Sequence, residues 1–264
     1  MSFIKQLDVA INKNNSLVCV GLDPDLDKIP EELKNNEKPL FEFNKSIIDA
    51  THDLVCAYKP NTAFYEALGA DGIEQLHETC DYIKQSCPEI PIILDYKRGD
   101  IGNTNAKYAQ FAFGYLKVDA VTLHSYQGIQ ELDPYFSYED KGIFIWVKGS
   151  NKGSEEFQNL IVEDKPLYRY VTEAVISADK DNAMLIVGAT YPEELKKIRD
   201  IAGDNMPILV PGIGAQGGDL QAMLKAGLNA ERKGLIINSS RGVIYNENPR
   251  KESENLRDQI NNYR

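Results

Sequence analysis

The chain of 264 residues is 42% hydrophobic and 26% charged, the balance of a soluble globular protein long enough to bury a sizeable core. With 40 Asp and Glu against 29 Lys and Arg, its net charge is −11. That excess of acid argues against general binding to nucleic acid or an anionic membrane, but not against a small anionic ligand held by a few focused cations.

The first apolar, β-branched run covers residues 17–23. A helix-period face follows (Leu40, Asn44, Ile47, Ile48, Thr51), interrupted by Asn44. After the run at 54–59 comes a second face, Ile73, Leu76, Cys80, Ile83 and Cys87, at three- and four-residue steps. Runs at 90–97, 118–124 and 142–148 lead to a polar stretch, 149–164, whose length predicts a lid over a ligand. Leu167, Tyr170, Val171, Ala174 and Ala178 then share a face, and a run at 183–188 precedes Thr190-x-x-Glu193. With Pro192 between them, those two residues predict a helix start bearing a capping box. The run at 207–212 is followed by Leu220, Met223 and Leu224 before Gly227, a helix stop, and the last run is 234–239.

Most of these eight runs are continuously apolar, as parallel strands covered on both faces require. Eight alternating β and α units predict an α/β fold: a single-domain (β/α)8 TIM barrel over residues 1–264. An open doubly wound sheet is the alternative, and the lack of G-x-G-x-x-G after the first run weakens its dinucleotide-binding form. Cys19, Cys56, Cys80 and Cys87 form no C-x-x-C pair, and His52, His77 and His124 do not cluster with them. Core thiols are expected, and no metal site. The N-terminal 15 residues lack the apolar segment of a signal peptide, and no run approaches the roughly 18–20 apolar residues of a membrane span. A cytoplasmic location is expected.

In such barrels chemistry sits at the C-terminal strand ends. Asp23 closes the first run, Lys59 the second, Asp95-Tyr96-Lys97 the third, His124 the fourth and Lys148 the fifth, with Ser150 beyond. Period-two alternation puts Asp95 and Lys97 on one face, and Asp100 follows in a glycine-bracketed turn. Charges near a barrel interior are costly unless paired, so Lys59, Asp95, Lys97 and Asp100 predict an alternating network able to keep a lysine protonated. A purely structural ion-pair network is the competing reading. The glycine-rich turn after the seventh run, 212–218, and Arg241 after the eighth predict a phosphate site.

The segment from Leu94 to Thr104, built on Asp95-x-Lys97-x-x-Asp100, closely resembles the signature of the orotidine 5′-phosphate decarboxylase family, in its longer-chain group. Gly21-Leu-Asp23-Pro-Asp, Tyr58-Lys59-Pro-Asn61, Pro211-Gly-Ile-Gly-Ala-Gln216-Gly-Gly and Ser240-Arg241-Gly support it in order along the chain. The resemblance implies a homodimeric barrel that turns orotidine 5′-phosphate into uridine 5′-phosphate and carbon dioxide without metal or organic cofactor. By this likeness Lys97 donates a proton to C6 and Asp95 lies beside the departing carboxylate. Asp100, Ile101 and Thr104 reach across from the partner. Lys59, Asp23 and Asn61 serve the ribose and the charge network, Ser150 the pyrimidine, and Gln216 and Arg241 the phosphate, with Ser240 a further substrate-binding residue. His124 and Gly149 depart from the family pattern, where Asn and Thr are common. D-x-K-x-x-D barrels also include magnesium-dependent enzymes acting on sugar phosphates, and a catalytically silent nucleotide-binding barrel is the non-enzymatic alternative.

Overall fold

The computed structural model describes residues 1–213 and 219–264. Eight parallel strands make up its main sheet: β1 (Val18–Leu22), β2 (Ala57–Pro60), β3 (Ile93–Arg98), β4 (Ala120–Leu123), β5 (Gly142–Lys148), β6 (Ala183–Val187), β7 (Ile208–Pro211) and β8 (Leu235–Ser239). Each lies within a run expected from the sequence or within one residue of it. They pair in the order β2-β1-β8-β7-β6-β5-β4-β3. Two isolated parallel bridges, Tyr58 with Ile92 and Asn61 with Asp95, join the sheet's edges. The result is the (β/α)8 TIM barrel, nearly closed, with its thinnest seam between β2 and β3.

Continuous apolar strands bury both faces, which is why β1 and β6 are buried at every position. The helices Pro39–Thr51, Gly69–Ser86, Leu167–Ser177, Pro192–Ala202, Leu220–Gly227 and Pro249–Asn261 belong to the outer layer. Asn44, the polar break in the first predicted helix face, is fully buried and donates to Tyr65 Oη at 2.8 Å and Thr79 Oγ1 at 3.2 Å. The helix Phe3–Asn14 lies against the strand entrances, where Phe3 meets Phe144 edge-on at 5.6 Å. No helix among the described residues is long and apolar enough to cross a membrane.

One helix start differs from expectation. The helix after β6 begins at Pro192 with Tyr191 at its cap and no side-chain cap bond. Thr190 instead donates its hydroxyl to the Ser150 carbonyl at 2.8 Å. The tertiary partner outcompetes the local cap, and the supposed capping residue ties down the root of the 149–164 segment. That segment contains a short helix, Ser154–Gln158, and one strand, Ile161–Val162, of a two-stranded ribbon completed just beyond it by Lys165–Pro166. Gly188 lets it approach, since a Cβ there would lie 2.4 Å from the Ser150 nitrogen.

Candidate active site

The strands run in one direction, so their C-terminal ends share one mouth. Lys59 near the end of β2 and Asp95 on β3 meet across the seam at 2.9 Å. Lys97, two residues on, reaches the other carboxylate oxygen of Asp95 at 2.5 Å. Asn61 donates from Nδ2 to Asp95 Oδ2 at 3.2 Å, and Thr122 on β4 donates to Asp95 Oδ1 at 2.9 Å. The Asn61 amide is oriented by its own Oδ1, which accepts from the Ala63 N–H at 3.0 Å. Each carboxylate oxygen of Asp95 thus accepts two donors, which fills its acceptor capacity. Burial pushes the Asp95 carboxyl up, but Lys59 and Lys97 outweigh it and hold it below the usual carboxylate range. Burial likewise pulls the Lys59 amine down, and Asp95 with Asp23 overcome that and hold it above the usual lysine range. The cluster is a salt-bridged cation–anion–cation sandwich.

Lys97 sits where β3 leaves its regular ladder, with φ at +46°, a left-handed conformation costing roughly 1–2 kcal/mol for a side chain with a Cβ. The chain then turns through Gly99, where a Cβ would lie 2.4 Å from the His124 carbonyl oxygen. The Lys97 ammonium lies 5.1 Å from the centre of the Trp146 ring, which stacks on His124 at 5.4 Å. Burial first, and then the charge of Lys97, lower the His124 pKa from its ordinary value of 6.5.

Asp23 follows β1, fixed by Tyr245, whose hydroxyl donates to the Asp23 carbonyl at 3.0 Å and accepts from the Asp25 N–H at 2.8 Å. Burial pushes the Asp23 carboxyl up against the pull of Lys59. Its Oδ1 and the Oδ1 of Asn238, near the end of β8, are buried and have no hydrogen-bond partner among the described residues. Two open acceptors in a polar cleft call for a ligand that brings donors. Ser240 and Arg241 follow β8 at the rim, and Ser150 closes the side after β5. Together with Lys59, Asn61, Asp95 and Lys97 these residues enclose about 810 Å³, open mouth included.

Asp23, Lys59, Asn61, Asp95, Lys97, Ser150, Ser240 and Arg241 therefore meet in one cleft. Asp100, Ile101 and Thr104 do not line it. The Asp100 N–H donates to Asn105 Oδ1 at 3.0 Å, its carbonyl accepts from Asn105 Nδ2 at 2.5 Å, and Ile101 is 53% exposed. Gln216 and the glycine turn 214–218 lie outside the described residues. Lys148, a charged strand end in the sequence, is fully buried beneath the 149–164 segment and donates to Ser154 Oγ at 3.2 Å and Asn159 Oδ1 at 3.0 Å. Asn238 opens the polar end of the eighth run in the sequence, whereas the pattern gives Thr122 and Trp146 no role. Thr122 carried a signal as a polar residue inside an apolar strand run, and Trp146 is the chain's one tryptophan.

Alternating charges gathered at the C-terminal mouth of a (β/α)8 barrel define the class, a TIM-barrel enzyme. Residues 16–256 match the model of the orotidine 5′-phosphate decarboxylase / HUMPS family. An orotidine 5′-phosphate decarboxylase of Cellvibrio japonicus is 48% identical, over 99% of this chain and 98% of its own. The structure of Leishmania donovani OMP decarboxylase superposes with a TM-score of 0.88 at 38% identity, covering 100% of this chain and 99% of that one. That of Leishmania donovani UMP synthase superposes at 0.90 and 40% identity, covering all of this chain and 56% of the other. The chain belongs to the orotidine 5′-phosphate decarboxylase family and is a carboxy-lyase.

Proposed function

We propose that this chain, as one (β/α)8 catalytic domain over residues 1–264, decarboxylates orotidine 5′-phosphate to uridine 5′-phosphate, the closing step of pyrimidine nucleotide synthesis, with Lys97 as proton donor. The observation that carries this is the Lys59–Asp95–Lys97 sandwich, with distances of 2.9 and 2.5 Å, on the wall of a cleft with Arg241 at its rim.

Breaking the C6–carboxylate bond releases carbon dioxide and leaves the electron pair on C6, in an orbital the ring cannot delocalise. A fixed ammonium beside C6 stabilises that charge and then neutralises it, as the N–H bond of Lys97 Nζ breaks and a C6–H bond forms. The anion at Asp95 keeps Lys97 oriented before the reaction, so little reorganisation is needed during it. With its acceptor sites filled, Asp95 acts by charge beside the substrate carboxylate and not as a base. Asp23 and Asn238 offer acceptors to ribose hydroxyls, with Lys59 and Asn61 beside them. Ser150 meets the pyrimidine, and Gln216, Ser240 and Arg241 take the phosphate. The enzyme works as a cytoplasmic homodimer, without metal or cofactor, and Asp100, Ile101 and Thr104 complete the site of the neighbouring subunit. Their position outside the cleft of their own chain supports this.

Incubating the protein with orotidine 5′-phosphate in EDTA and following the pyrimidine ultraviolet absorbance tests the proposal. A spectral shift to the uridine chromophore is expected, and an unchanged spectrum refutes it. Mixing inactive Lys97→Ala and Asp100→Ala subunits tests the shared site. Partial recovery of activity is expected, because one hybrid site regains both residues.

A further inference from the structure

We propose that Thr122 is a positioning residue for the decarboxylation chemistry, its one hydroxyl clamping both the Asp95 carboxylate and the strained backbone of Lys97. This rests on the reading of Asp95 and Lys97 given above.

The requirement comes from the register of β3 against β4. Ile93 pairs with Ala120 and Leu94 with Val121, but the next pair is Arg98 with Leu123. Four steps along β3 are matched by two along β4, so residues 95–97 face Thr122 alone. A bulge of this kind removes ladder partners from the extra residues. The Lys97 N–H is one that loses its strand carbonyl, and it donates instead to Thr122 Oγ1 at 3.1 Å. Beyond the bulge the ladder resumes, with His124 N–H donating to the Arg98 carbonyl at 2.8 Å.

The hydroxyl has one proton and two lone pairs. Asp95 is held anionic and can only accept, so the Thr122 proton goes to Asp95 Oδ1 at 2.9 Å, leaving lone pairs for the Lys97 N–H. Both bonds lie in the interior, because Thr122 is fully buried. One atom thus fixes the carboxylate rotamer that faces the ammonium and supports the left-handed backbone, at φ +46°, from which the Lys97 side chain starts. The ammonium itself is anchored through Asp95, at 2.5 Å. The Lys97 side chain is 29% exposed and also lies over the face of Trp146. Alignment of Nζ against C6 therefore depends on where Asp95 and the Lys97 backbone are held.

The prediction separates hydroxyl from bulk. Thr122→Val keeps the branched shape and removes the hydroxyl, whereas Thr122→Ser keeps the hydroxyl and removes the methyl. With orotidine 5′-phosphate, Thr122→Val is expected to lower kcat about 10- to 100-fold, the loss of a buried hydrogen bond to a charged group, with KM moved less than about threefold. Thr122→Ser is expected to stay within about threefold of the parent. A packing role predicts the reverse order, and that result, or equal kcat in both variants, overturns the proposal. Should Thr122→Val fail to fold, Thr122→Ala against Thr122→Ser makes the same comparison, with Ala expected about 10- to 100-fold below Ser. Lys97→Ala in the same assay separates the two readings. A parent whose activity depends on Lys97 but not on the Thr122 hydroxyl refutes the clamp alone, and a parent inactive on orotidine 5′-phosphate refutes both.

Discussion

The two ends of the barrel both bury charge, and they satisfy it differently. At the strand entrances, Arg199 is 6% exposed and donates to four backbone carbonyls, those of Gly203, Met206, Gly227 and Gly234, at 2.7–2.9 Å. Asp119 at the same end accepts the Ile92 N–H at 2.9 Å and faces Lys84 at 3.2 Å. Arg199 uses its capacity on the backbone it holds together, and Asp119 divides its own between the Ile92 N–H and the side chains of Lys84 and Lys141. At the strand exits, Lys59, Asp95 and Lys97 are paired mainly with one another, and Asp23 and Asn238 keep open acceptors. Burial alone therefore does not mark a functional charge; paired charges gathered in a cleft beside open acceptors do.

The sharpest way to break this contrast is to neutralise one charge at each end. Asp95→Asn is expected to lower kcat at least about 1,000-fold, because the preorganised field at Lys97 is lost. Steady-state kinetics on orotidine 5′-phosphate check it. At the other end, Arg199→Met leaves four carbonyls without their donor and is expected to cost about 3–5 kcal/mol of stability. Thermal unfolding should record a drop of roughly 10 °C, while kcat per folded molecule stays within about twofold of the parent. A large kcat loss in Arg199→Met would erase the distinction between the ends.

Smaller effects sharpen the picture at the exits. Arg241→Ala should lower kcat/KM for orotidine 5′-phosphate about 100-fold, as expected for a charge-assisted phosphate contact whose binding energy serves the transition state. The unphosphorylated nucleoside should be little affected, and equal losses on both substrates would contradict this role. The smallest effect concerns pH. The pKa of His124 is lowered, so it is neutral at pH 7 and gains its proton only below its ordinary 6.5. Protonation there puts a second cation near Lys97, so activity should fall a few-fold as pH drops through that lowered value. His124→Asn should remove that part of the acid limb in a profile of kcat/KM against pH.

Much of the fold was legible in the sequence because parallel barrel strands write themselves as continuous apolar runs, and the first five runs each ended in a charged residue or a histidine. The pairing of Asp95 with Lys97 was also legible, though for a different physical reason. Alternation along a regular strand suggested a shared face, whereas the structure brings them together through a bulge and a left-handed Lys97. A bulge depends on the neighbouring strand's register, which local pattern does not carry. Thr122 escaped notice for the same reason, since its importance lies in what faces it. Thr190 looked like a helix cap and serves the Ser150 carbonyl, a partner 40 residues away. Lys148 looked like a mouth residue and anchors the 149–164 segment from below.

Lys97, held by Asp95 at 2.5 Å, is the proposed source of both the charge and the proton for decarboxylation. Single-turnover decarboxylation of orotidine 5′-phosphate by Lys97→Ala, at enzyme concentrations that saturate the substrate and with EDTA present, tests it most directly. Substrate should still bind, and carbon dioxide release should slow by at least about 10,000-fold, the upper range for a positioned proton donor. Release within about tenfold of the parent rate would contradict that role.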